Sequence, residues 1–267
     1  MSLTLDDLYV PETDLGGGLI AIQADTGVGK TTLALQVAKE VPTAYMLLDP
    51  NTKYTKSQAP EGARLDFFRP TLPADPTPSD KQLWLEQVNL AWNHFLAAKP
   101  SHSHPEWGPY GAFVWDTATS LWKNESEIRV EQKVSAGRNP NREWQPLDYA
   151  IANAWMRSVA DSRNRLRPES YVLLLLHEEP VYVQDPDNPN SSFKIAHPTR
   201  RTLDGWKNSF RDVQLAVRLY RKATWKDGKG VERKNVRFGT ILKHAQLEGL
   251  IGVEEPEITW ETIKGWL

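Results

Sequence analysis

The residues Ala24-Asp25-Thr26-Gly27-Val28-Gly29-Lys30-Thr31-Thr32 hold the densest chemistry in this 267-residue chain. Small residues followed by Gly-Lys-Thr can fold into a loop whose backbone N–H groups, with the start of the following helix, surround an anion. Lys30 reaches the β and γ phosphates of a nucleotide as a point charge, and the Thr31 hydroxyl ligates Mg²⁺. Thr32 falls in the first helical turn. The usual pattern begins with glycine, and Ala24 stands there instead. The residues expected to touch the phosphates are therefore Ala24, Thr26, Gly27, Val28, Gly29, Lys30, Thr31 and Thr32.

Such a loop works only between a strand and a helix. The apolar run 19–22 predicts the strand, and 31–41, closed by Pro42, predicts the helix. A second buried strand at 44–48 ends in Asp49-Pro50-Asn51. Strand, helix, strand in that order favours a parallel sheet of the α/β class. Two further strands end in polar groups. Ala112-Phe113-Val114-Trp115 runs into Asp116-Thr117, and 171–176 runs into His177-Glu178. An acid at the end of a buried strand, paired with a phosphate loop upstream, is placed to complete a Mg²⁺ site. That assigns Asp116 to the metal together with Thr31.

Composition sets outer limits. Hydrophobic residues at 40% and charged residues at 25% fit a soluble globular chain with a real core. There is no cysteine, so thiol catalysis and disulfides are excluded. Residues 1–7 have neither a basic nor an apolar signal region, and no stretch reaches transmembrane length, which implies no membrane role and a cytoplasmic setting. The net charge of -2 hides an asymmetry. Residues 194–243 hold 14 Lys and Arg against 4 Asp and Glu, so one segment is strongly basic and the remainder acidic. A polyanion partner is the reading of that segment.

The other elements follow from local signals. Residues 53–80 read as irregular, with a proline-rich connection at 69–79. A capping box at Ser79 to Gln82 opens a helix that buries Trp84, Val88, Ala91, Trp92 and Phe95 and ends near Lys99. His102 and His104 read as part of a solvated loop. Helices are expected at 121–134 and from Pro146 to about 166, separated by a basic loop at 135–142. The chain reads as loose from 178 to 201, with turn chemistry at 184–192. A hairpin of strands 213–220 and 233–243, turning at 226–230, precedes a short helix at 259–267.

Phosphate loop, strand ending Asp49, strand ending Asp116, strand ending His177, loop, hairpin: this series resembles the RecA-like branch of P-loop ATPases. More narrowly, it is similar to compact RecA-like proteins of bacteriophages, including single-strand annealing-type recombinases. The resemblance implies one RecA-like domain over 1–267, with 1–18 as a lead-in and 203–267 as a hairpin and helix continuing the core. It implies a mostly parallel sheet flanked by helices, ATP and Mg²⁺ as cofactors, single-stranded DNA as partner, and a homo-oligomeric ring or filament in the cytoplasm (the host's, if phage-encoded). His177 takes the place of a γ-phosphate sensor. The loops at 135–142 and 178–201 take the places of two DNA-binding loops, with Arg138, Arg142, Lys194, Arg200 and Arg201 on phosphates and Phe193 stacking on bases. Lys243 is the residue expected to reach a neighbour's nucleotide.

One departure bears on catalysis. Asn51 stands where such hydrolases carry a water-activating glutamate, and an amide takes no proton. Asp49 or Glu178 is left for that role, with Lys30 and His177 as its catalytic companions. Slow hydrolysis, or ATP used as an assembly switch, follows. Two other readings stay open: a nucleotide kinase with an arginine-bearing lid, and a non-hydrolysing ATP-gated scaffold.

Overall fold

The phosphate-loop strand lies inside a mixed sheet of nine strands. The computed structural model describes residues 18–49, 55–135, 150–184, 194–204, 212–226 and 228–267. The strands are β1 (Gly18–Ala24), β2 (Thr43–Leu47), β3 (Leu65–Phe68), β4 (Ala112–Asp116), β5 (Tyr171–Gln184), β6 (Lys194–Asp204), β7 (Leu215–Lys226), β8 (Glu232–His244) and β9 (Glu254–Pro256). Their order is β3-β2-β4-β5-β1-β7-β8-β9, with β6 paired to β5. From β3 to β7 every pairing is parallel, and β5–β6, β7–β8 and β8–β9 are antiparallel. The expected α/β class with a largely parallel sheet and a C-terminal hairpin is the fold observed.

Helices α1 (Lys30–Leu35), α2 (Pro78–Leu96), α3 (Ala118–Ser135), α4 (Ala150–Asp161) and α5 (Trp260–Gly265) cover both faces. Buried parallel strands must be apolar on both sides, and successive side chains divide between the faces. On β4, Phe113 and Trp115 join the core under α2, α3 and α4, while Ala112 and Val114 join the core under α1 and α5. The first core is aromatic: Trp92 packs edge-on against Phe113 at 5.1 Å and tilted against Trp115 at 5.3 Å. Large rings there let sheet and long helix interlock. In the second core Trp260 sits edge-on to Tyr171 at 5.1 Å, which seats the C-terminal helix.

All parallel strands point the same way, so Ala24, Leu47, Asp116 and His177 come to one edge of the sheet. Crossovers between parallel strands force this, and the edge is where an α/β sheet binds its ligand.

Several sequence expectations are corrected. Residues 53–80 are not wholly irregular. They contain β3, four residues long, whose Asp66 accepts hydrogen bonds from the hydroxyls of Ser101, Ser103 and Tyr110. The capping box belongs to Thr77 and Asp80, with Pro78 at the first helical position, rather than to Ser79. The helix after the phosphate loop is α only to Leu35 and then tightens to a 3₁₀ turn at Gln36–Lys39. The largest difference is β5. It does not stop at Leu176 but continues to Gln184 and pairs with β6 as an arm. Strand 178–184 has exposed alternate residues, and its polar composition concealed it.

Candidate nucleotide-binding site

The loop leaves β1 after Ala24 and turns through two left-handed glycines, Gly27 at φ 78° and Gly29 at φ 109°. Side-chain-bearing residues are strained in both positions, which is why glycine stands there. Gly29 caps α1 with no side-chain hydrogen bond, while at the start of the loop the Thr26 N–H donates to its neighbour Asp25 Oδ1 at 2.7 Å. Thr26, Gly27, Gly29, Lys30, Thr31 and Thr32 line a cleft of about 300 Å³, together with Asp49, Asp116, Thr117 and His177. Thr55 and Gln58 close one side, and Thr32 donates to Gln58 Oε1 at 3.0 Å.

Lys30 is buried at 6% exposure, and its Nζ donates to the carbonyls of Ala24 at 2.7 Å and Asp25 at 3.1 Å. Burial pulls its pKa down to about 8, against the opposing pull of Asp116, Asp25, Glu178 and Asp49. Thr31 Oγ1 donates to Asp116 Oδ2 at 2.9 Å, and the hydroxyl of Tyr45 donates to the same oxygen at 2.9 Å. Asp116 is 2% exposed, and burial raises its pKa above the usual carboxylate range, although both hydroxyls oppose this. A serine-or-threonine hydroxyl and a carboxylate, both oxygen donors and already in contact, suit a hard divalent cation.

His177 stands between two of these groups. Its Nδ1 lies 3.4 Å from Lys30 Nζ and its Nε2 lies 3.5 Å from Asp49 Oδ2. Burial first, and Lys30 second, lower its pKa, so the ring is neutral at neutral pH. An ammonium can only donate, so Nδ1 accepts and the ring proton sits on Nε2, facing Asp49. The backbone of Asp49 is itself fixed, its N–H donating to the carbonyl of Asp116 at 3.2 Å.

Comparison with known proteins adds little to this geometry. No family model matches the sequence, and no curated protein matches it. Among solved structures, the chain is similar to a prototypical ATPase from the type III secretion system of pathogenic bacteria, at 13% identity and a TM-score of 0.44. The match covers 77% of this chain and 52% of that one, so the chain spans about half the length of that ATPase. The fold assignment therefore rests on the strand order, and the site on its own residues.

Of the residues expected from sequence, the structure gathers Thr26, Gly27, Gly29, Lys30, Thr31, Thr32, Asp49, Asp116 and His177 at one cleft. Ala24 contributes its carbonyl to Lys30, and Val28 packs against the core beside α1. Glu178 is placed elsewhere. Its side chain is 2% exposed, accepts from Gln23 Nε2 at 2.5 Å, and forms a two-point ion pair with Arg218 at 2.8 and 3.1 Å. It faces away from the cleft, on the side of the sheet shared with Leu174 and Leu176. Lys243 donates to the carbonyl of Val213 at 2.8 Å. It pairs with Ala216, level with Ala21 and so below the loop end of the sheet. Lys194 and Arg201 lie on β6, in the arm rather than in a loop, with Lys194 exposed. Arg200 is on the same strand. Asn51, Arg138, Arg142 and Phe193 lie outside the described residues.

Besides Thr55 and Gln58 on the cleft wall, three participants behind it were not anticipated. Tyr45 read as one more apolar residue of β2, and nothing in a run of buried residues marks a hydroxyl aimed at an acid 71 positions away. Thr119 accepts from the His177 N–H at 2.9 Å and donates to the carbonyl of Asp204 at 3.0 Å, joining α3 to the first rung of the β5–β6 arm. Arg237 on β8 donates to the Gly29 carbonyl at 3.3 Å and to the Ile258 carbonyl at 2.7 Å, bracing the loop from outside.

Proposed function

We propose that this chain is a Mg²⁺-dependent ATPase of RecA-like type that acts on single-stranded DNA as a homo-oligomer, in recombination or replication. The observation that supports it best is the 2.9 Å contact between Thr31 Oγ1 and Asp116 Oδ2, beside the buried ammonium of Lys30. Two hard oxygens and a cation meet there from segments far apart in sequence, in the arrangement that a metal-chelated triphosphate requires.

Bound Mg²⁺·ATP supplies the transferable phosphoryl group and the metal's neutralising charge. The chain's own residues do the rest. The loop amides and Lys30 stabilise charge on the phosphates, and Thr31 and Asp116 hold the metal. Asp49 is the acid placed to orient a water, since Glu178 is engaged by Gln23 and Arg218. His177 presents its Nε2–H toward Asp49 and its Nδ1 toward Lys30, so it reads the phosphate end of the cleft. Its partner across the arm is Asp204, which makes His177 the first rung of β5–β6. A change at His177 is thereby passed to the arm that carries Lys194, Arg200 and Arg201, the expected DNA contacts.

Phosphate release from ATP, measured with and without single-stranded DNA while particle size is recorded, tests the reading. Mg²⁺-dependent turnover that rises with DNA is expected. Absence of any ATP binding refutes the nucleotide assignment. Turnover with no DNA binding and no DNA response refutes the DNA assignment, and phosphoryl transfer to a nucleoside or nucleotide replaces the ATPase with a kinase.

A further inference from the structure

Arg221 on β7 and Arg237 on β8 are direct cross-strand partners in the C-terminal hairpin. Like charges placed opposite each other destabilise a strand pair, and the usual remedy is an acid between them. None is there. Among the described residues, Arg221 donates to the Asn235 carbonyl at 2.9 Å, and Arg237 to the carbonyls of Gly29 and Ile258. Burial, and then the neighbouring charge of Arg221, lower the pKa of Arg237. The two guanidiniums line an open cleft of about 390 Å³ with Arg233, Lys234, Asn235 and Glu257. The one acid, Glu257, is 2.6 Å from Arg233. Among the described residues that line the cleft, four are cationic and one is a carboxylate, and Arg221 and Arg237 face each other with no acid between them.

We propose that this cleft binds the phosphodiester backbone of single-stranded nucleic acid, and that Arg237 connects that contact to the phosphate loop. The proposal rests on the reading of the chain as a DNA-acting ATPase, and it names a surface distinct from the β5–β6 arm. Three features favour a strand over a single anion. The cations extend from Arg237 to Arg233, a reach of up to ~13 Å along a strand at ~3.3 Å per residue. That reach is more than one phosphate occupies along a nucleic-acid strand. Asn235, at φ 56°, lies between Arg233 and Arg237, and its rung with Ala223 is missing although the register is the same on both sides. Its carbonyl accepts from Arg221 at 2.9 Å, which holds that guanidinium beside the gap. The third feature is the hairpin's excess of positive charge, since Lys222, Lys226, Lys229, Arg233 and Lys234 lie on it with Asp227 and Glu232, although Lys222 is paired with Glu254 and Arg233 with Glu257.

Arg237 holds the Gly29 carbonyl, and Gly29 sits at the left-handed turn just before Lys30. A phosphate drawn to Arg221 and Arg237 competes for that guanidinium. Nucleic acid on the hairpin is thus coupled through one side chain to the loop that holds nucleotide.

The test uses the full chain, a fluorescently labelled oligo-dT and anisotropy between 50 and 200 mM salt, a range over which such contacts weaken steeply. Arg221→Gln is expected to weaken binding several-fold and reduce the salt slope by about 0.7, the value for one single-strand phosphate contact. Arg221→Lys is expected to restore the slope. Arg221→Gln should melt no lower than the parent, because it removes a like-charge neighbour from an exposed position. A salt slope unchanged by Arg221→Gln, in a parent that binds oligo-dT, overturns this proposal and leaves the ATPase reading intact. A parent that binds no oligo-dT overturns the DNA reading, and this proposal with it. Loss of ATP affinity with the slope unchanged assigns the cleft to the nucleotide instead.

Discussion

Tyr45 donates its hydroxyl proton to Oδ2 of Asp116 at 2.9 Å, the same oxygen that accepts from Thr31. The tyrosine is fully buried, and burial with the charge of Asp116 raises its pKa well above that of a free phenol, so it stays a donor at every working pH. Were Thr31 to turn to a metal, as proposed, Tyr45 would remain to orient the carboxylate. Tyr45→Phe should therefore lower Mg²⁺-dependent ATP affinity by about tenfold, the lower end of what outer partners of metal ligands contribute. The fold should lose about 1–3 kcal/mol, the cost of an unmet donor to a buried carboxylate. Calorimetric titration with ATP, with and without Mg²⁺, separates the two. A Mg²⁺ dependence identical to the parent's would remove Tyr45 from the metal site.

Lys30 is held against its own preference. Its pKa falls from 10.5 to about 8 on folding, mainly by burial. Two and a half units correspond to roughly 3 kcal/mol by which the fold disfavours the ammonium, offset in part by its bonds to the Ala24 and Asp25 carbonyls. Lys30→Met should abolish measurable ATP binding and melt no lower than the parent. A variant that loses binding and also melts ten degrees lower would mean that Lys30 is structural.

The same shift sets a pH dependence. A lowered lysine pKa costs stability fully below pH 8, and the cost is relieved as pH rises from about 8 to 10.5. Nucleotide binding runs the opposite way, because triphosphate favours the charged amine. ATP affinity should thus fall above about pH 8, and binding between pH 8 and 9 should take up protons. Calorimetry in buffers of different ionisation enthalpy reads that uptake directly. Binding with no proton exchange would show that Lys30 is already fully charged.

The phosphate loop and the acid of β4 were legible because their chemistry is local: glycines at left-handed turns, a lysine, and an apolar run ending in Asp116. The sheet class followed from the alternation of such runs with helices. What stayed hidden depends on contacts between distant segments. Nothing near Tyr45 announces Asp116, and nothing near Arg237 announces Gly29, 208 residues earlier. The arm was missed for a different reason. Past Leu176, β5 leaves the core and its residues lie partly in solvent, so hydrophobic periodicity fails although pairing with β6 continues. Strand β3 was missed because it has four residues and lies next to a proline-rich stretch.

Asp66 shows what holds that short strand. It accepts from the Ser101 hydroxyl at 2.6 Å and from the backbone of His102 at 2.9 Å, and the hydroxyls of Ser103 and Tyr110 also donate to it. Burial would raise its pKa, but these donors together bring it down to about 2. A depressed carboxyl stabilises above its unfolded value and loses that contribution as pH falls from about 4 toward 2. Asp66→Asn should flatten the acid limb of the unfolding profile and cost about 1–2 kcal/mol at pH 7, allowing for solvent screening. An acid limb indistinguishable from the parent's would show that another carboxylate governs it.

Asp49 follows the end of β2 and Glu178 lies within β5, and their surroundings differ. Asp49 lines the cleft, 3.5 Å from the Nε2 of a neutral His177. Glu178 is buried with Gln23 and Arg218 at the root of the arm. Asp49→Asn should lower the turnover number by 10²-fold or more with ATP affinity within threefold, if it removes the proposed orienting group of the attacking water. Glu178→Gln breaks an ion pair whose carboxylate is buried and whose guanidinium is a third exposed, and should destabilise the fold by about 1–3 kcal/mol, with the chemistry of the surviving folded protein retained. Arg218→Met combined with Glu178→Gln should recover part of that loss, because no buried charge is then left unpaired. Single-turnover phosphate release beside thermal melts reads both effects. Turnover that survives in Asp49→Asn and disappears in stably folded Glu178→Gln would exchange the two roles.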